Sequence, residues 1–212
     1  MKRFLNADSY ASTGQGFTGY NMFAYCGNNP IINSDPSGLF LIESIRAVEG
    51  VVRKIIAKAI INKEKYSTEN YSSANYSEKK VLQQEYAYEV ATALGINNSP
   101  TIFYQFIPPA PIMNDMGTVV GAEETFGYYD HKNNTLMLNE WYMDDYDIMF
   151  KTIRHEIFHD YQHQNMDGTI CFEKQKTITR WTDAYADYCS PEIDYAKYWN
   201  NALEVDARRF AA

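Results

Sequence analysis

Residues 146–166 read YDIMFKTIRHEIFHDYQHQNM, and the segment His155-Glu156-Ile157-Phe158-His159 within them decides which fold to expect. Residues four apart share one face of a helix, so His155 and His159 can turn both imidazoles toward one point. Glu156 stands beside the first of them. Two imidazoles on one face with an adjacent carboxylate suit a zinc site with a general base. The ring nitrogens bind the metal, and the carboxylate takes a proton from water that the metal activates. The plainer alternative is a surface helix with two solvated histidines. Against it, two of the chain's four histidines fall in these five residues. The surroundings also read as helix. Apolar positions 149, 150, 153, 157 and 158 recur at helical spacing, and no Pro or Gly interrupts 146–166. Acids at 144, 145 and 147 crowd the start, and Asp167-Gly168 marks the end.

A catalytic zinc takes three protein ligands and keeps one position open. His163 continues the i+4 series, but three ligands on successive turns of one straight helix cannot surround a metal. The longer pattern HExxHxxGxxH is absent, because Gln162 and Asn165 occupy the places of its Gly and third His. A glutamate on a later helix is the other common solution. Residues 201–211 contain no helix breaker, and Leu203, Ala207, Phe210 and Ala211 form a stripe bordered by Glu204. A carboxylate at the edge of a core-facing stripe is costly unless it is paired or bound to a metal. Glu204 is therefore the first candidate for third ligand. A solvated glutamate, or an ion pair with Arg208, would give the same spacing. Asp183, Asp187 and Glu192 stay open as alternatives, and Cys171 and Cys189 are weaker ones.

Upstream, Phe126, Tyr128, Leu136 and Leu138 alternate on either side of His131-Lys132-Asn133-Asn134, which predicts a hairpin. A strand there can border the site and pair with an extended peptide. Residues 101–107 are a second β-rich run, closed by Pro108-Pro109. Residues 39–65 are patterned as an amphipathic helix, and charges at 43, 46, 49, 53, 54 and 58 exclude a membrane span. Residues 66–77 read as a polar linker, after which Ser77 opens a helix that Gly95 stops. Among the chain's 18 tyrosines, Tyr195 and Tyr198 precede Glu204 and are the first candidates to donate a hydrogen bond to a tetrahedral intermediate.

The order of hairpin, HExxH helix, Asp160-Tyr161-Gln162 after the second histidine, and the run Leu203 to Ala211 resembles the gluzincin-type zincin metallopeptidases found as toxin domains at the ends of bacterial polymorphic toxins. The resemblance spans about residues 95–212. It implies an α+β, zincin-like metallopeptidase domain over 78–212, with a small antiparallel sheet beside the HExxH helix. It also implies Zn2+ held by His155, His159 and Glu204, Glu156 as the catalytic base, and a protein or peptide substrate.

The first forty residues differ in character. Arg3-Phe4-Leu5-Asn6-Ala7-Asp8, Asn21-Met22-Phe23-Ala24-Tyr25-Cys26-Gly27-Asn28-Asn29-Pro30 and Asn33-Ser34-Asp35-Pro36-Ser37-Gly38-Leu39 read as short strands punctuated by turns. They hold too few apolar residues for a core of their own. Residues 2–39 resemble the end of the RHS-repeat-associated core, in which a β-rich shell encloses a variable C-terminal toxin. In that family the stretch matching Pro30 to Leu39 is the junction between shell and toxin. The resemblance implies self-cleavage at this junction, marked by Asp35 and Leu39. Residue preferences alone make Asp35-Pro36-Ser37-Gly38 a turn. The organisation expected is thus 1–40, the end of the RHS core; 41–77, a connector helix and polar linker; and 78–212, the toxin domain. The chain reads as the C-terminal fragment of a larger toxin, secreted or delivered to a target cell. The RHS shell and an immunity protein are the partners the family implies, and no signal peptide is visible in this fragment.

Composition adds limits. At 212 residues and 45% apolar content, one packed domain with an appendage fits. A net charge of −8 and the lack of a basic stripe argue against nucleic-acid binding. Three cysteines without CxxC spacing give no disulfide frame. The expected function is a zinc metallopeptidase effector, taking extended peptides with basic side chains by charge complementarity. The alternative is a non-catalytic, decayed RHS fragment serving as a binding or structural module.

Overall fold

The computed structural model of the chain describes residues 40–113, 118–191 and 193–212. The strands expected over 2–39, the junction residues Asp35 and Leu39, Cys26 and the alternative ligand Glu192 lie outside the described residues. In chain order the elements are α1 (Phe40–Ala59), α2 (Thr68–Ser73), α3 (Tyr76–Leu94), β1 (Thr101–Gln105), β2 (Ala110–Met113), β3 (Val119–Glu123), β4 (Gly127–Asp130), β5 (Thr135–Asn139), α4 (Tyr146–Met166), α5 (Gln175–Ala186), α6 (Tyr195–Asn200) and α7 (Ala202–Ala211). The class is α+β, with helices dominant and a small mixed sheet.

α4 is the axis of the fold. The Asp145 side chain accepts from the Ile148 amide at 2.9 Å, satisfying a donor of the first turn, and Gly168, with φ +82°, turns the chain away after Asp167. The helix buries Met149, Phe150, Ile153, Ile157, Phe158 and Tyr161 against α3, α7 and β5. Phe158 stacks on Phe210 of α7 with ring centroids 4.7 Å apart. Asn201 caps α7, and its amide nitrogen also donates to the Ala184 carbonyl at 2.9 Å, which ties α7 to the end of α5.

The polar linker expected over 66–77 is not there. Tyr66 and Tyr71 are fully buried, and their rings lie 5.9 and 5.3 Å from that of Phe150 on α4. The Tyr71 hydroxyl donates to the Met143 carbonyl at 2.6 Å and accepts from Gln83 at 2.6 Å. Serines and asparagines dominate the local composition, but burying two aromatic rings outweighs them: truncating either would cost about 3–5 kcal/mol. α3 also starts a residue earlier than expected. Asn75 accepts from the amides of Ser77 and Glu78, while Glu78 accepts from the Asn75 amide at 2.7 Å, a reciprocal cap that Ser77 cannot form.

The hairpin forms as β4–β5, with Asp130 opposite Thr135 and Gly127 opposite Leu138. Its turn is held by Asp130, which accepts from the Lys132 amide and the Asn133 side chain. The sheet is not purely antiparallel, however. β1 runs parallel to β5, giving the order β1-β5-β4. Alternation of apolar residues does not encode strand direction, and the long segment 106–134 supplies the crossover that a parallel pair needs. A second hairpin, β2–β3, lies within that segment. Pro108-Pro109 closes the first run as expected, and the strand that follows from Ala110 had no counterpart in the sequence reading. The buried Asn139 side chain bonds Ile107, Thr125 and Trp141, pinning the entrances of β4 and α4 together.

α1 is attached by its polar side. Arg53 lies over the Phe172 ring at 4.3 Å, and Lys54 pairs with Glu173. Val48, Val52 and Ile55 face outward and are exposed. Among the described residues, no helix is long and apolar enough to cross a membrane.

Candidate metal centre

α4 and α7 pack side by side, and this brings the Glu204 carboxylate over the imidazoles of α4. His155 Nε2 lies 3.0 Å from His159 Nε2 and 3.2 Å from Glu204 Oε2, and His159 Nε2 lies 3.5 Å from Glu204 Oε1. The candidate ligand atoms of the three residues all fall within 4.8 Å of one another. Donors about 2.0–2.1 Å from a tetrahedral zinc are separated by about 3.3 Å. The observed edges bracket that value, and the donor set of two imidazoles and one carboxylate suits a borderline-soft divalent ion. The residues present therefore fit a metal.

The electrostatics agree with this geometry. Glu204 is 3% exposed. Burial opposes its charge, but hydrogen bonds and charge attraction from His155 and His159 hold its carboxyl far below the usual carboxylate range. Burial likewise opposes charge on His159, yet Glu204, Glu156 and Gln162 push it up to about 9. Without metal the cluster thus keeps a proton at neutral pH, and a divalent cation would replace that positive charge. The alternative of a Glu204–Arg208 ion pair is weakly met. Arg208 Nη1 is 3.9 Å from Glu204 Oε2, and the guanidinium lies over the Trp199 ring and donates to the Trp199 carbonyl.

Glu156 points to the same place from the adjacent position. It is 9% exposed. Burial raises its carboxyl above the ordinary range, partly offset by the two imidazoles and by a hydrogen bond from the Tyr129 backbone. That bond comes from β4, the strand beside α4. β4 can lie so close because residue 127 is glycine: a Cβ there would meet the Met137 carbonyl at 2.7 Å and Thr152 Cγ2 at 2.8 Å.

Gln162 is a contributor whose role spacing had not revealed. Its Oε1 lies 2.9 Å from His159 Nδ1, and its Nε2 donates to the Leu203 carbonyl at 3.1 Å. It orients one imidazole and links it to the helix carrying Glu204, as the outer shell of a metal site does. Its i+3 position from His159 is the signal that could have found it. Tyr188, from the loop after α5, places its hydroxyl 3.5 Å from Glu204 Oε1, and no sequence pattern marks it.

Of the two tyrosines proposed from sequence, Tyr198 faces Glu204 and Glu156. Burial and these carboxylates push its hydroxyl upward, so it stays a donor. Tyr195 is not brought to the triad. Its ring turns outward and stacks on Trp199 at 5.8 Å. His163 lines the same pocket but stacks on His131 at 4.7 Å and takes no part in the cluster. Asp187 pairs with Lys197 at 2.7 Å, and neither Asp183, Cys171 nor Cys189 joins the cluster.

The triad sits where two depressions meet. A pocket of ≈ 280 Å³ extends toward His131, His163 and Tyr185. A cleft of ≈ 1030 Å³ extends toward Phe126, Tyr195, Trp199 and Arg208. His155, Glu156 and Tyr198 border both. The described residues thus define an α+β protein with a two-histidine, one-glutamate cluster able to hold a metal. Comparison of the chain with protein-family models, with curated proteins and with solved structures finds no match.

Proposed function

We propose that the chain is a zinc-dependent metallopeptidase of the zincin type and the C-terminal toxin of an RHS-type polymorphic toxin. The observation that carries the enzymatic reading is the convergence of His155, His159 and Glu204 at near-tetrahedral spacing beside the buried Glu156. A zinc ion bound there supplies a Lewis acid that polarises a peptide carbonyl and acidifies water. The chain's own residues do the rest. Glu156, with its raised affinity for a proton, accepts one from water and holds it at a carboxylate oxygen until the leaving amine takes it. Gln162 fixes the ring of His159. Tyr198 stays protonated near Glu204 and would donate to the developing oxyanion, and the Tyr188 hydroxyl lies 3.5 Å from Glu204 Oε1. β4 ends the three-stranded sheet beside α4, and its outer edge, apart from the Tyr129 backbone bonded to Glu156, would take an extended peptide.

The toxin reading rests on the resemblance of residues 2–39 to the end of an RHS core and of residues 95–212 to gluzincin-type toxin peptidases. The outward apolar stripe of α1 supports it, because a helix covered by an enclosing shell would carry such a stripe. The substrate is then a protein of the target cell, and an immunity protein protects the producer. The test is to add purified wild-type chain and Glu156→Gln, each with zinc, to a cell lysate and compare new protein N-termini by mass spectrometry. New termini in the wild-type sample alone are expected. Identical terminus profiles would overturn the peptidase reading.

A further inference from the structure

We propose that the larger cleft is a carboxylate-recognition subsite, in which Lys151 and Arg208 bind an acidic group of an extended peptide. That the bound peptide is then cut rests on the peptidase reading; the binding itself does not. Helical spacing sets up the pair. Lys151 lies one turn before His155 on α4, and Arg208 one turn after Glu204 on α7, so each helix carries a candidate metal ligand and a cation on one face. Both cations line the cleft together with His155 and Glu156.

Neither cation is used up by the protein itself. Lys54, Lys79, Arg180 and Lys197 are each paired with a carboxylate. Lys151 is exposed and has no such partner among the described residues. Arg208 makes one long ion pair, with Glu204. Trp199 fixes it by ring stacking at 3.9 Å and by its carbonyl, and Glu204 stays at 3.9 Å, beyond hydrogen-bond range. A guanidinium has five N–H donors in a rigid fork suited to a carboxylate, and these contacts leave several of them unspent. Three acids also line the cleft, Glu123, Glu124 and Glu156. Glu124 bonds the Tyr142 hydroxyl, and Glu123 has a partner of its own.

A carboxylate ligand at this cleft would differ from the preference for basic side chains expected from the net charge of −8. Charges more than about 10 Å away are largely screened, so a ligand seated at Lys151 and Arg208 responds to the charges of the cleft itself and little to the chain's overall sign. Trp199 and Tyr195 add aromatic surface beside them. The ligand chemistry is a carboxylate on a peptide with apolar neighbours. An acidic side chain and a free C-terminus both supply it.

The test uses the full-length Glu156→Gln chain, with and without added zinc, and dansylated octapeptides of one Ala- and Phe-rich sequence. The peptides differ only by glutamate or glutamine at each position in turn, and by a free or amidated C-terminus. Binding is read by fluorescence anisotropy. A carboxylate form is expected to bind roughly tenfold or more tightly than its amide counterpart. Lys151→Met and Arg208→Met, each added to Glu156→Gln, should remove most of that difference. Lys151 is exposed and unpaired, so its variant keeps the test valid even if Arg208→Met folds poorly. Preference for an internal glutamate names the side chain as source, and preference for the free terminus names the main-chain carboxylate. Equal binding, absent binding, or a preference that survives both substitutions overturns the proposal. Selective binding without cleavage by the wild type would count against the peptidase reading and leave the subsite standing; cleavage without carboxylate preference would do the reverse.

Discussion

Asp160 gives the structure a measurable signature that is independent of catalysis. Its side chain is 1% exposed, and burial raises its pKa to about 6, against an ordinary value of 3.8. Oδ1 accepts from Gln164 at 2.9 Å, while Oδ2 lacks a bonded partner. Tyr129 approaches Asp160, but its single hydroxyl proton goes to Asn134 at 3.1 Å. A folded-state pKa above the unfolded one means that the native state binds more protons between the two values, so stability falls as pH rises through them. The full gap corresponds to about 3 kcal/mol lost at pH 8, and about half of that is lost already at pH 5. Asp160→Asn keeps the shape and the acceptor for Gln164 but cannot ionise. Urea unfolding of both proteins in chelator, from pH 5 to 8, removes contributions common to both. The wild type should lose about 1.4 kcal/mol relative to the variant across that range. A stability difference that does not change with pH would refute the assignment of a strained, ionised carboxylate at 160.

Gln162→Ala should weaken zinc binding about 10–100-fold, measured by competition with a chromophoric chelator, and Gln162→Glu should recover much of it; unchanged affinity would remove its orienting role. Zinc binding at pH 7 should release close to one proton from His159, read by calorimetry in buffers of different ionisation enthalpy. Because the protonated ring competes with metal, affinity should rise about tenfold per pH unit and level off near pH 9, where His159 becomes neutral. Affinity that stays flat from pH 6 to 8 would contradict this. Gly127→Ala forces a Cβ against Met137 and Thr152 and should cost about 1–3 kcal/mol in urea unfolding. A wild-type midpoint would show that β4 is not held tightly to α4.

The parts legible in the sequence were those fixed by local rules. α4 has the bounds that its acids, apolar spacing and Gly168 imply, and the turn chemistry of Asp130 to Asn134 announces the β4–β5 hairpin. Glu204 could be nominated because a carboxylate on an apolar stripe needs a reason. What was not legible depends on tertiary contact. Tyr66 and Tyr71 sit in a polar run, and it is contacts with distant rings, Tyr86, Tyr146 and Phe150, that explain their burial. The parallel pairing of β1 with β5 is a matter of chain path, and no residue pattern records it. Tyr188 reaches Glu204 from a loop without periodicity, and Tyr195, one turn before Tyr198, lines the cleft but stacks on Trp199.

The most direct test is the zinc content of the metal-reconstituted full-length chain at a pH above 9, where His159 no longer competes through its proton. Wild type and Glu156→Gln should each bind about one equivalent of zinc, because Glu156 lies beside the ligand set and outside it. Glu204→Ala and His155→Ala should lose most of that binding. An absence of stoichiometric zinc in the wild type, or undiminished affinity after Glu204→Ala, would contradict the assignment of His155, His159 and Glu204 as a metal centre.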